Sequence, residues 1–183
     1  WTYEVDGAKI RYLAAGETAT ETFDVTIADG HGGTATQALT ATVTGENDPV
    51  EILWATTDPL TQVVLRTQDQ GAVLEDNEPS LWLRSTVGTI YFADADVIDL
   101  HSIAVVKTSS SLRNTGSLLG NPGGEIIIAD GDLMESAGAL GAVRWTYQVD
   151  NQWIRYLNAG ETATETFDLM IDDGMGSIKT VPI

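Results

Sequence analysis

Apolar and polar residues alternate one by one along much of this chain, and glycine, proline, aspartate or asparagine interrupts the alternation every few residues. A period of two marks a half-buried strand, because successive side chains point to opposite faces. Trp1, Tyr3 and Val5 face one way and Thr2 and Glu4 the other, which predicts a strand over 1–5. Asp6-Gly7 follows as a tight turn, since both residues tolerate positive φ, and Asp150-Asn151 keeps that chemistry later in the chain. A run through Ile10, Tyr12 and Leu13 ends at Ala15-Gly16-Glu17. A longer strand then sets Phe23, Val25 and Ile27 inward and Thr22, Asp24 and Thr26 outward, closed by the loop Asp29-Gly30-His31-Gly32-Gly33. The next strand places Leu39, Ala41 and Val43 inside and Thr40, Thr42 and Thr44 outside. It breaks at Gly45-Glu46-Asn47-Asp48-Pro49, where proline withholds a donor.

From Val50 the same grammar continues in short runs. Ile52–Trp54, Val63–Leu65, Leu81–Leu83, Thr89–Phe92, Ile103–Val106 and Ile126–Ile128 are the expected strands, and Asp130–Ser136 reads as a loop or one helical turn. No long segment has a period of 3.6. Many short strands at regular spacing predict an all-β chain and favour an antiparallel β-sandwich over a barrel, which periodicity alone leaves open.

The chain also contains its own alignment. Trp1–Gly30 returns as Trp145–Gly174, and the two copies agree at more than half of their positions. A spacing of roughly 140 residues is far beyond the ~20–50 of solenoid units, so each repeat is expected to be a domain in a tandem array. Residues 1–48 read as the C-terminal half of one repeat, and 49–183 as a nearly complete second repeat without its last strand. The nearer copy, from Trp145, is expected to pair within its own domain, because a short connection raises its effective concentration. The half-repeat would then complete itself against another chain in a strand-exchanged homodimer.

Charge narrows the partners. Twenty-seven acidic residues against 9 basic ones give a net charge of −18. Such a surface repels nucleic acid and anionic membranes and attracts cations, or serves only as a solvating coat. The absence of cysteine removes disulfides, thiolate catalysis and cysteine-bound metal. No apolar run approaches the ~18–20 residues of a membrane span, so no membrane insertion is expected.

The string WTYxVDxxxIRYLxAGETxTETFDxxIxDGxG, followed in the first copy by TQALTATVTGENDP, resembles the VCBS-like or cadherin-like tandem repeat of large bacterial surface and RTX-type adhesins. The resemblance covers 1–49 and, with the matching front half, much of 51–183; the stretch Val50–Gln70 is longer than shorter versions of the repeat have. It implies an immunoglobulin-like or cadherin-like β-sandwich, arrayed with neighbouring repeats of the same chain, secreted to the bacterial cell surface and often calcium-bound. Most such repeats are spacers. The function it implies is a calcium-stabilised extender module without catalysis; the alternative is a ligand-binding module for glycan or protein.

Candidate chemistry concentrates after the run Thr89–Phe92, at Asp94, Asp96 and Asp99, with His101 beyond them. Calcium takes about six to eight hard oxygen ligands, which clustered carboxylates supply while the ion cancels their repulsion. The run is not an EF-hand, because Asp99 stands where glycine and Val105 where glutamate would be needed. The resemblance implies a cadherin-like ligand set, adding Glu75 and the linker residues Asn47 and Asp48 to Asp94 and Asp96, with Glu46 and Asp76 as neighbours. The plainer reading is that these are turn residues. Asp29 and its counterpart Asp173 are sufficiently explained by turns before glycine. His31 and His101 have no second nitrogen or sulfur ligand nearby in sequence for zinc. Trp1, Tyr3, Tyr12 and Phe23, recurring at Trp145, Tyr147, Tyr156 and Phe167, are expected in the core; Trp153, which replaces Lys9, is the aromatic to examine for exposure. No hydrolase, P-loop or metalloprotease motif is present, and Lys9, Lys107 and Lys179 carry no sign of an intramolecular cross-link.

Overall fold

The computed structural model describes residues 1–58, 60–75, 82–113, 123–135 and 140–183, and it is nearly all β with antiparallel pairings. The strands are β1 (Thr18–Ala28), β2 (Thr34–Thr44), β3 (Glu51–Ile52), β4 (Ala55–Thr57), β5 (Val64–Arg66), β6 (Leu83–Ala93), β7 (Ser102–Ser110), β8 (Glu125–Ile127), β9 (Leu133–Glu135) and β10 (Leu140–Asp150); after the four-residue helix α1 (Asn151–Ile154) come β11 (Glu165–Asp172) and β12 (Ile178–Pro182). Two compact units result. One comprises Trp1–Asp48 with Ala95–Asp99, the other Pro49–Asp94 with Leu100–Ile183.

The larger unit is an antiparallel β-sandwich. One sheet runs β3-β6-β10-β8, with β9 also on β10, and the other runs β12-β11-β7; β4 and β5 form a separate ribbon. Alternation drives the packing: Ile90 and Phe92 on β6, Val143 and Trp145 on β10, and Leu169 and Ile171 on β11 all turn inward and join Val50 and Val181 in one core. Each such side chain contributes about 1.5–3 kcal/mol by leaving water. Gly88 sits inward on β6 because a side chain there would collide with the Trp145 indole. That indole donates from Nε1 to the Gln68 carbonyl at 2.8 Å, so its one polar atom is satisfied at no exposure. A second cluster gathers Val149, Trp153 and Ile154 around the end of β10 and α1.

The smaller unit is a hairpin. β1 and β2 pair from Thr18↔Thr44 to Ala28↔Thr34, and the ladder is prolonged by Gly45 N donating to Glu17 O at 2.8 Å and Gly16 N to Gly45 O at 3.1 Å. Gly45 has room for no side chain, because the carbonyls of Leu13 and Ala14 press against it.

Several sequence expectations need correction. Trp1–Val5 forms no strand, although its copy Trp145–Val149 lies within β10. The copy is held by β6 on one side and β8 on the other, whereas no described strand pairs with 1–5. Trp1, Tyr12 and Phe23 are accordingly 85%, 51% and 46% exposed, while Trp145 and Phe167 are buried. Asp6-Gly7 and Asp150-Asn151 start helical turns instead of closing hairpins; Asp6 Oδ1 accepts from Ala8 N at 3.0 Å and Asp150 Oδ1 from Gln152 N at 2.9 Å. The runs at Leu83 and Thr89–Phe92 are one strand, with Leu81 outside the described residues. Asp130–Ser136 contains strand β9 instead of a helical turn, Ser136 again lying outside the described residues. Trp153 is 8% exposed and belongs to the core.

Candidate metal centre

The loop that follows β6 is inverted in polarity. Asp94, Asp96 and Asp99 are 5%, 1% and 6% exposed, while Val97, Ile98 and Leu100 are 51%, 57% and 80% exposed. The cause is the register of β6. Gly88, Ile90 and Phe92 occupy its inward positions, and the same two-residue step carries Asp94 inward. β11 does the same: Phe167, Leu169 and Ile171 point inward, and the next residue in phase is Asp173, 1% exposed. Burying carboxylates costs several kcal/mol each unless charge and hydrogen bonds compensate.

Within the sandwich, Asp94 and Asp173 present carboxylate oxygens within 4.8 Å of each other. Asp173 Oδ1 accepts from Met175 N at 2.8 Å and Ser177 N at 3.0 Å, which fixes its turn. Asp94 Oδ2 lies 3.0 Å from His101 Nε2, and His101 Nδ1 lies 2.8 Å from Glu135 Oε1. The imidazole is also packed on Phe92, with ring centroids 4.9 Å apart. His101 is thus a buried bridge between two acids.

In the smaller unit, Asp48 N donates to Asp96 Oδ2 at 2.7 Å, and Asp99 N donates to Asp96 O at 3.0 Å. The structure therefore brings the linker residue Asp48 onto Asp96. Its neighbour Asn47 is half-buried, while Glu46 is exposed. Glu75 is half-buried, and no described hydrogen bond or ion pair joins it to these acids; Asp76 lies outside the described residues. Asp29, the repeat counterpart of Asp173, repeats the turn, accepting through Oδ1 from His31 N at 2.7 Å and Gly33 N at 2.9 Å. Those two backbone donors hold its carboxyl below the usual range. His31 is exposed, its Nδ1 lying 3.0 Å from the Asp29 carbonyl.

A second polar cluster joins β7, β10 and β11. Glu165 on β11 meets Lys107 Nζ on β7 at 2.9 Å and accepts from Gly124 N at 2.6 Å and from the Tyr147 hydroxyl at 2.8 Å. Burial opposes ionisation of Glu165, but the Lys107 ammonium and these donors outweigh it and leave its pKa lowered. Burial, and then the Glu165 carboxylate, push the Tyr147 hydroxyl well above its ordinary value.

The donor set could hold a metal ion. It is made of aspartate oxygens with one imidazole already engaged, and hard oxygen ligands of this kind serve calcium, magnesium and manganese alike. Among the described residues no helix is long and apolar enough to cross a membrane. No protein-family model matches the chain, and no curated protein or solved structure is similar enough to be matched.

Proposed function

We propose that this chain is a calcium-stabilised extender repeat of a secreted bacterial surface adhesin, without catalysis. The observation that carries the reading is the inverted loop, in which aspartates are inside and aliphatic side chains outside. Asp94 and Asp173 in the sandwich are buried acids of a kind that can hold a metal ion, and Asp99, Asp96, Asn47, Asp48 and Glu75 would complete or support the ligand set. When bound, the ion would supply positive charge that neutralises the acids. The chain's own residues orient them: the Met175 and Ser177 amides fix Asp173, His101 holds Asp94, and Asp48 N holds Asp96. Between neighbouring repeats the same neutralisation would turn a flexible tether into a rod. Calorimetric titration with Ca²⁺, Mg²⁺ and Zn²⁺ tests this: calcium should bind the wild type selectively, and Asp99→Asn and Asp173→Asn should each weaken it at least tenfold. Equal heats for magnesium, or indifference to both variants, would sink the proposal.

A ligand-binding module is the second reading. Trp54 and Trp82, 58% and 67% exposed, favour it as stacking surfaces for glycan or protein. Tryptophan fluorescence quenched by a glycan mixture, and lost in Trp82→Ala, would support it over the spacer.

A further inference from the structure

A cavity of about 510 Å³ opens in the larger unit where β7 and β8 end their sheets, each with a strand neighbour on one side only among the described residues. Ligand sites occupy about 300–1,000 Å³, so the volume suffices for a small molecule. Its apolar wall is formed by Leu83, Val105, Ile126 and the Phe167 ring. Its polar lining is mixed: Lys107 supplies a cation, Glu125 an anion and Gln148 a neutral amide. Neither the core nor the acidic loop uses the last two.

The side chains around the cavity are held in place. Glu165 meets Lys107 Nζ at 2.9 Å and accepts from Gly124 N and the Tyr147 hydroxyl, while Lys107 also stands 5.3 Å from the centre of the Phe167 ring. Gly123-Gly124 lets the chain pass this close. A side chain at Gly124 would strike the Tyr147 ring, and one at Gly123, whose φ is +136°, would strike Glu165 and Lys107. Lys107 has Glu165 as its one described acceptor, which leaves further ammonium protons for a ligand. The Glu125 carboxylate and the Gln148 carboxamide make no described hydrogen bond, although their backbones pair.

We propose that this cavity binds an uncharged, hexose-sized saccharide. An anion would meet Glu125 and Asp150 at the cavity and a net charge of −18 around it. A cation would meet the Lys107 ammonium, and a purely apolar ligand would strip water from every polar group there without replacing its hydrogen bonds. A hydroxyl both donates and accepts. A ring of hydroxyls therefore accepts from Lys107, donates to Glu125 and does both with Gln148, while its C–H face lies on Val105 and Ile126. The cavity shares no residue with the acidic loop or with Trp54 and Trp82, so this site stands or falls independently of the calcium reading and of the tryptophan surface.

The test titrates the isotope-labelled full chain with D-glucose, D-galactose and D-mannose, and in parallel with butylammonium and butyrate, and follows the amide chemical shifts by nuclear magnetic resonance. At least one sugar should give saturable shifts at Lys107, at 123–126 and at Gln148 in the millimolar range and leave 18–44 unmoved. Glu125→Ala and Gln148→Ala should each weaken that sugar roughly fivefold, as loss of one hydrogen bond requires. Neither side chain belongs to the core, so the melting temperature of both variants should stay at the wild-type value. No saturable shift with any of the sugars, binding that survives both variants, or shifts confined to Trp54 and Trp82 would overturn the proposal. Saturable binding of butylammonium or butyrate at these residues in place of a sugar would assign the cavity to an ion and overturn it as well.

Discussion

Replacing Phe167 with alanine and, separately, Phe23 with alanine removes the same side chain from the same position of two copies of one sequence. Phe167 is 4% exposed, packs edge-on against Tyr147 and lies under the Lys107 ammonium. Its removal takes away the transfer energy of a buried ring and leaves a cavity, about 3–5 kcal/mol together. Phe23 is 46% exposed and opens no closed cavity, so its loss is worth about 1 kcal/mol or less. The two units need not unfold together, and one free energy for the whole chain is then undefined. The assay is therefore guanidinium unfolding with hydrogen exchange read separately over 102–110 and 165–172 and over 18–44. Phe167→Ala should lower the midpoint of the first two segments strongly and leave the hairpin near its wild-type value. Phe23→Ala should shift only the hairpin, and slightly. Equal losses in the two variants, or a larger loss for Phe23→Ala, would refute the claim that strand partners, and not the local sequence, decide where the repeat is buried.

Gly88→Ala should cost about 1–3 kcal/mol, read by thermal unfolding, because the added methyl group meets the Trp145 ring in a filled core. Trp145→Phe should cost about 2 kcal/mol, combining a void with loss of the hydrogen bond to the Gln68 carbonyl. Glu165 gives a pH dependence with a defined sign. Its folded pKa lies below the ordinary 4.5, so its contribution is fully present above about pH 4.5 and is lost as pH falls through the lower folded value. Unfolding midpoints measured from pH 6 to pH 3 should therefore fall less steeply below about pH 4.5 in Glu165→Gln than in the wild type.

Fold class was legible because the period of two survives along β6, β10 and β11, and the inward residues it selects on β11, Phe167, Leu169 and Ile171, are those that are buried. The same pattern misled at Trp1–Val5, since alternation specifies a face but not a partner strand. Short pieces such as β4 and β9 carry too few residues for a period and were not separable from turns. Of the candidate site, Asp94, Asp96 and Asp99 stood out as a cluster, and Asp48 reached Asp96 as a linker residue. Asp173 makes the turn its sequence context predicts, accepting from Met175 N and Ser177 N, and its burial follows from being the next inward position after Ile171. His101 bridging Asp94 and Glu135 joins residues distant in sequence, and no local pattern encodes it.

If a cation belongs to the fold, a thermal melt in EDTA and again in millimolar calcium, with magnesium as control, will reveal it. At a hundredfold excess over Kd the ion adds about 2.7 kcal/mol, or a rise of about 10 °C for a domain of this size. Calcium alone should give that rise, and the double variant Asp94→Ala, Asp96→Ala should lose it. An unchanged melting temperature, or an equal rise with magnesium, would contradict it and leave the buried aspartates as turn residues of an acidic sandwich.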